Sequence, residues 1–178
     1  RDPQRQSIDP DNHWMWRMNR LRLDVEAWRD AMLRVGDTLD NRLGGASLDL
    51  GDVKNTRRTL YGIVKRRELN EVLRLNDFPD PTTHSASRTP TTTPLQQLFV
   101  LNSPFVQQRS AALARRLLTE QTTDEARVRL AYALLFGRPV HESEMKLARG
   151  FLGDRGDVAA WTQYAQVLLG SNEFLFVD

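Results

Sequence analysis

The residues best equipped for chemistry are Asp77, Asp80 and His84. They lie in one proline-rich stretch, Asp77-Phe78-Pro79-Asp80-Pro81, that runs on through Arg88 to Gln96 and Asn102. Two carboxylates and an imidazole can hold a divalent ion if the prolines bend the loop back on itself. The same carboxylates have a plainer use, because Asp in a proline-bounded turn accepts hydrogen bonds from its own backbone, and this is the preferred reading. His13, His84 and His141 show no i, i+4 pair of the kind that binds zinc on a helix, so no metal site is assigned. Acid–base chemistry on a glycan needs two carboxylates about 5–10 Å apart across a cleft. Asp80 with Glu173 or Glu26 supplies the residue types but not the separation. Ser85 and Ser87 neighbour His84 without the glycine pattern of a nucleophile elbow. Catalytic residues stay unassigned, and the chain is not assigned as an enzyme.

A second constellation is polar groups beside aromatic anchors: Arg17, Asn19, Arg20, Arg57, Arg58, Arg88, Gln96 and Asn102, with Trp14, Trp16, Tyr61 and Phe99 nearby in sequence. A guanidinium offers a rigid fork of donors and can cap buried carbonyls, which ties long loops to helices. The same groups can instead line a groove for an anionic ligand or a polysaccharide, with a ring stacked on it. On that second reading the ligand-binding candidates are Asp77, Asp80, His84, Arg88, Gln96, Asn102, Arg57 and Arg58.

The elements that must position these residues are mostly helical. Val25, Trp28, Met32 and Val35 recur at helical spacing behind Asp24 as N-cap, with Glu26/Arg29 and Asp30/Arg34 placed to pair on the surface and Gly36 as the stop. Residues 36–55 and 76–93 read as long loops. Thr56–Val64 alternates and suits a small strand, whose partner could be the Leu48–Leu50 region, another chain or sequence upstream. Glu68–Leu75 reads as a short helix. Thr93-Pro94-Leu95-Gln96 is a capping box with proline at the first helical position, and Leu95, Leu98, Phe99 and Leu101 are expected to face inward. Further helices follow from Ser103-Pro104, from a second capping box Thr122-Thr123-Asp124-Glu125 to Gly137, from Glu142 to Leu152, and from Asp157. The expected fold is mainly α, an irregular helical bundle with its bundle proper over 94–178 and at most a small β element near Thr56–Val64.

Composition limits the setting. No apolar run approaches the roughly 20 residues that span a bilayer. The start at Arg1 has neither an initiator Met nor a signal-peptide profile and reads as a cut end. Without cysteine there is no disulfide, no thiolate metal site and no thioether haem attachment in these residues. Of the 25 basic side chains, all but Lys54, Lys65 and Lys146 are arginine. The net charge is only +2, yet the segment Lys54–Arg74 has seven bases against Glu68 and Glu71, a local surplus able to meet phosphate or sulfated sugar. No helix-turn-helix, zinc-finger or aromatic-sheet motif accompanies it, so nucleic acid is not the expected partner.

The chain resembles a known family along nearly its whole length. The resemblance is carried by Asp9-Pro10-Asp11-Asn12, Trp16-Arg17-Met18-Asn19-Arg20 with Arg22-Leu23, Glu26 and Arg29-Asp30, then Arg57-Arg58-Thr59-Leu60-Tyr61, Asp77-Phe78-Pro79-Asp80-Pro81, Arg88, and Pro94 with Gln96, Leu98 and Leu101-Asn102. Gly137-Arg138-Pro139 and Ser171-Asn172-Glu173-Phe174-Leu175-Phe176-Val177-Asp178 complete it. These motifs are similar to the C-terminal domain of planctomycete cytochrome c-associated exported proteins, the domain of unknown function fifteen-fifty-three, here truncated at its N-terminal side. Ala46 stands where members often have proline, and Ser85 lies near where some carry cysteine. The resemblance implies an uncharacterised helical interaction module of a larger exported protein, periplasmic or at the cell envelope. Its partners would be companion domains of the same polypeptide, with any haem in an upstream cytochrome domain. The alternative it leaves is half of a polysaccharide-active or redox site completed by upstream domains.

Overall fold

The computed structural model describes residues 2–153 and 156–177; Arg1 and Asp178, at the two termini, lie outside them. Helices α1 (Pro3–Ile8), α2 (Val25–Val35), α3 (Glu71–Leu75), α4 (Pro94–Asn102), α5 (Pro104–Glu120), α6 (Asp124–Phe136), α7 (Glu142–Leu152), α8 (Val158–Leu169) and α9 (Asn172–Leu175) follow in order. The fold is mainly α, as the punctuation of the sequence implies.

The core is built on α5 and α8. Val106, Leu113, Ala114 and Leu117 of α5 are fully buried, as are Trp161, Ala165 and Leu169 of α8. The small Ala114 and Ala165 let two helix axes approach closely. Helix α2 adds Trp28, Met32 and Leu33 to the same core. Its end abuts α5 so tightly that a Cβ on Gly36 would stand 3.2 Å from Ala112 Cβ. Helix α6 ends at Gly137, whose φ of 65° is the left-handed conformation a helix C-terminus favours in glycine.

Four sequence expectations are corrected. The β element is not at Thr56–Val64: the two-stranded antiparallel sheet pairs β1 (Leu21–Arg22) with β2 (Phe176–Val177), Leu21 opposite Val177. Thr59–Tyr61 is instead a 3-10 turn, because the Asp30 carboxylate accepts from both Thr59 N (2.7 Å) and Thr59 Oγ1 (2.6 Å) and curls the backbone. Leu48 does meet this segment, but only as an isolated bridge to Gly62. A Cβ on Gly62 would lie 2.6 Å from the buried Leu50 side chain, so that position needs glycine.

The surface pairs on α2 do not form. Arg29 is 0 % exposed, Glu26 turns to Arg88, and Asp30 to Thr59 and Arg58. On α4 the expected apolar side is turned out: Leu95, Leu98 and Leu101 are 61, 52 and 60 % exposed, while Gln96 and Val100 are buried. Phe99, half-buried, meets Trp28 with ring centroids 6.3 Å apart. Finally, Thr122–Glu125 supplies half a capping box. Thr123 Oγ1 accepts from Ala126 N, and Glu125 reaches across to Arg149.

Candidate functional site

Asp77, Gln96 and Arg22 form a closed polar knot at the base of loop 76–93. Asp77 sits at φ 60°, a left-handed conformation that Asp tolerates better than most side chains. That turn aims its carboxylate back across the loop, where Oδ1 accepts from Thr91 Oγ1 (2.6 Å) and Oδ2 from Thr91 N (2.9 Å). Gln96 completes the capping box of α4, accepting at Oε1 from Thr93 N (3.0 Å). Its Nε2 donates to Asp77 Oδ2 and Thr91 Oγ1, each at 3.2 Å. Arg22, held on β1, donates from Nη1 to Asp77 Oδ2 (3.1 Å), Gln96 Oε1 (2.9 Å) and the Thr91 carbonyl. The groups satisfy one another, and buried Gln96 explains why α4 presents its leucines outward.

Arg88 is the pivot of a second arrangement. Its two terminal nitrogens grip Glu26 Oε1 and Oε2, both at 2.7 Å, and the guanidinium lies 5.2 Å over the Phe78 ring. The hydrogen bond from Arg88 holds the Glu26 carboxyl below its ordinary range against the opposing effect of burial. The same pairing raises the Arg88 guanidinium. Arg88 borders two open hollows. One, of about 630 Å³, also has Arg58, Asp30, Leu50 and Leu60 in its wall. The other, of about 460 Å³, lies toward Arg22, Asp77 and Pro90.

Of the remaining candidates Arg58 shares the larger hollow with Arg88, and the others lie apart from these arrangements. Arg57 straps the loop before it, donating to the carbonyls of Arg42 (2.9 Å) and Gly44 (2.5 Å) and stacking 4.1 Å over Tyr61. Arg58, half-exposed, reaches Asp30 at 3.7 Å. Asp80 caps its own turn, accepting from Thr82 N (2.8 Å) and Thr82 Oγ1 (2.7 Å); the hydroxyl bond, then the backbone bond, lowers its pKa. His84 is exposed, and Asn102 donates back to the Leu98 carbonyl. Among the described residues no group of three or more His, Asp or Glu side chains is gathered to hold a metal ion. Of the carboxylates weighed for glycan chemistry, Glu26 and Asp80 line different hollows. Glu26 is gripped by Arg88, Glu173 by Arg138, and Asp80 lines a separate cavity.

Other residues doing structural work here were not among the candidates. Arg29 inserts into the core and donates to the carbonyls of Arg57 (2.9 Å) and Asn55 (2.6 Å) and to Thr59 Oγ1 (3.1 Å). Arg29 and Arg109 both lie over the Phe105 ring, at 5.0 and 5.5 Å. Burial lowers the Arg29 guanidinium to about 10. Arg138 ties three helices together, gripping Glu144 of α7 and Glu173 of α9 from just beyond α6. An arginine at helical spacing looks the same in sequence whether it faces solvent or core. The motifs of the resemblance marked Arg138, in Gly-Arg-Pro, and Arg29, in Arg29-Asp30, without saying what either does.

A family model described as PSD1, protein of unknown function (DUF1553), matches residues 1–152. No curated protein and no solved structure matches the chain. Because the match takes in the arginine-strapped loops, the polar knot and the helices up to α7, the chain belongs to the PSD1 family of proteins of unknown function, DUF1553.

Proposed function

We propose that this chain is a noncatalytic helical interaction module of a larger exported protein, docking on a companion domain of the same polypeptide through the outer face of α4. The observation that carries this reading is the stripe Leu95, Leu98 and Leu101, spaced three residues apart and each more than half exposed. An apolar stripe turned to water on a helix whose other side is packed is what a partner surface requires. Gln166 of α8 supports the far end of the stripe by donating to the Leu101 carbonyl at 2.8 Å. The candidate polar residues fit the same reading, since Asp77, Gln96 and Arg88 spend their bonding groups on internal ties and Arg57 turns its Nη2 to two loop carbonyls. The exported, cell-envelope location and the assignment of any haem to an upstream cytochrome domain rest on the resemblance of the motifs.

The experiment compares hydrogen–deuterium exchange and solvent labelling of α4 in this chain alone and in the full-length protein. Protection of α4 in the full-length protein that is lost in the Leu95→Ser/Leu98→Ser/Leu101→Ser variant is expected. Equal exchange in both settings overturns the docking. A second reading, half of a polysaccharide-active site completed by another domain, is favoured by the open hollow beside Arg88 and Arg58. It predicts that Arg58→Gln abolishes turnover by the full-length protein without altering α4 protection.

A further inference from the structure

Most of the arginines placed in loops and helix ends are spent on carbonyls or carboxylates, but Arg66, Arg67 and Arg74 are not. Among the described residues the side chains of these three make no hydrogen bond or ion pair, and all three line one cavity of about 530 Å³. Arg74 comes from the last turn of α3 and the other two from the segment before it, so two pieces of chain converge on one space. Three guanidinium groups facing one open space repel one another, and an anion bound among them relieves that repulsion.

The rest of the lining narrows the class of anion. Guanidinium forks match the oxygens of a phosphate or sulfate in paired hydrogen bonds. Leu69, Phe78 and Pro81 supply an apolar wall, and the volume falls within the range of small-molecule sites, far more than a bare anion fills. Asp80 stands in the same wall, its carboxylate holding Thr82 by backbone and hydroxyl. A carboxylate there opposes a bare dianion but accepts hydrogen bonds from hydroxyl groups. We infer that this cavity binds a hydroxyl-bearing phosphate or sulfate ester, a sugar ester, with the ester group among Arg66, Arg67 and Arg74 and the ring against Phe78 and Pro81. The inference does not depend on the docking face of α4, which lines none of this cavity.

The test is calorimetric titration of the protein with glucose 6-sulfate, glucose 6-phosphate, inorganic sulfate, inorganic phosphate and glucose. Both esters are expected to bind, more weakly as salt is raised, while glucose does not. Arg66→Gln, Arg67→Gln and Arg74→Gln should each weaken ester binding by about tenfold or more, the scale of one charge-assisted hydrogen-bonded contact. Lys65→Gln removes a neighbouring charge that does not line the cavity and should leave affinity within about twofold. The three arginines are exposed, and unchanged thermal unfolding of each variant checks that the fold is kept. A preference for the sulfate over the phosphate ester assigns the site to sulfated sugars, and the reverse preference to sugar phosphates. Esters that bind no better than glucose, or a Lys65→Gln loss equal to that of Arg74→Gln, overturn the site. Inorganic anions binding as tightly as the esters overturn the ring contact and the sugar assignment.

Discussion

At the scale of single residues, this protein uses arginine to hold its loops in place. Arg29 illustrates the physics. Its charge is buried, which is costly, but several acceptors on the 3-10 turn and the loop before it are satisfied by its fork. Helical spacing sets Arg29, four residues after Val25 and three before Met32, on the buried side and exposed Arg34 about 140° further round, but it does not say which acceptors a buried guanidinium will find. The pairs at the surface have a pH signature. Glu26 and Glu144 have folded pKa values lowered chiefly by hydrogen bonds from Arg88 and Arg138. A lowered carboxylate contributes stability that is fully present above its unfolded pKa, about 4.3, and is lost as pH falls through the lower folded value. Urea unfolding from neutral pH into the acid range should therefore show stability falling below about pH 5. The Glu26→Gln/Glu144→Gln variant should give a shallower slope over the same window. Identical slopes would show that these pairs do not contribute.

Elements show where local signals suffice and where they do not. The capping box at Thr93–Gln96 was legible, because proline at the first helical position and the reciprocal bonds are short-range. The facing of α4 was not. Leu95, Leu98, Phe99, Val100 and Leu101 outnumber Gln96, Gln97 and Asn102, so the apolar side is expected inward; tertiary bonds to Asp77 and Thr91 pull Gln96 in instead. Removing the Gln96 amide tests this. Gln96→Ala leaves Asp77, Thr91 and Arg22 short of partners and should cost about 1–3 kcal/mol. Amide exchange over 76–93 should accelerate more than exchange in α5. Loss confined to α4, with 76–93 unchanged, would mean that the knot does not close the loop.

On the scale of the whole molecule, the elements after α7 belong to the fold although the family match stops at Leu152. Helix α8 provides half of the central pair, and β2 pairs with β1 near the other end of the chain. Trp161, with 0 % exposure, sits in that interface. Trp161→Ala should cost about 3–5 kcal/mol, a large share of the roughly 5–15 kcal/mol that separates folded from unfolded domains. A chain ended at Gly153 should lose its cooperative urea transition. A preserved transition would show that α1 to α7 form a core of their own.

The helical class and most helix starts and stops were legible before any tertiary contact was known. Caps, glycine stops and helical spacing act within a few residues of one another, so they are written locally. Tertiary structure alone decided that Thr56–Val64 curls around Asp30, that β1 finds β2 from the far end of the chain, and that α4 exposes its leucines. It also decided which arginines are spent on the fold and which are left facing a cavity. Those outcomes depend on partners tens of residues away, and an arginine beside a carboxylate in sequence has the same spacing whether it meets that carboxylate, a distant carbonyl or open space.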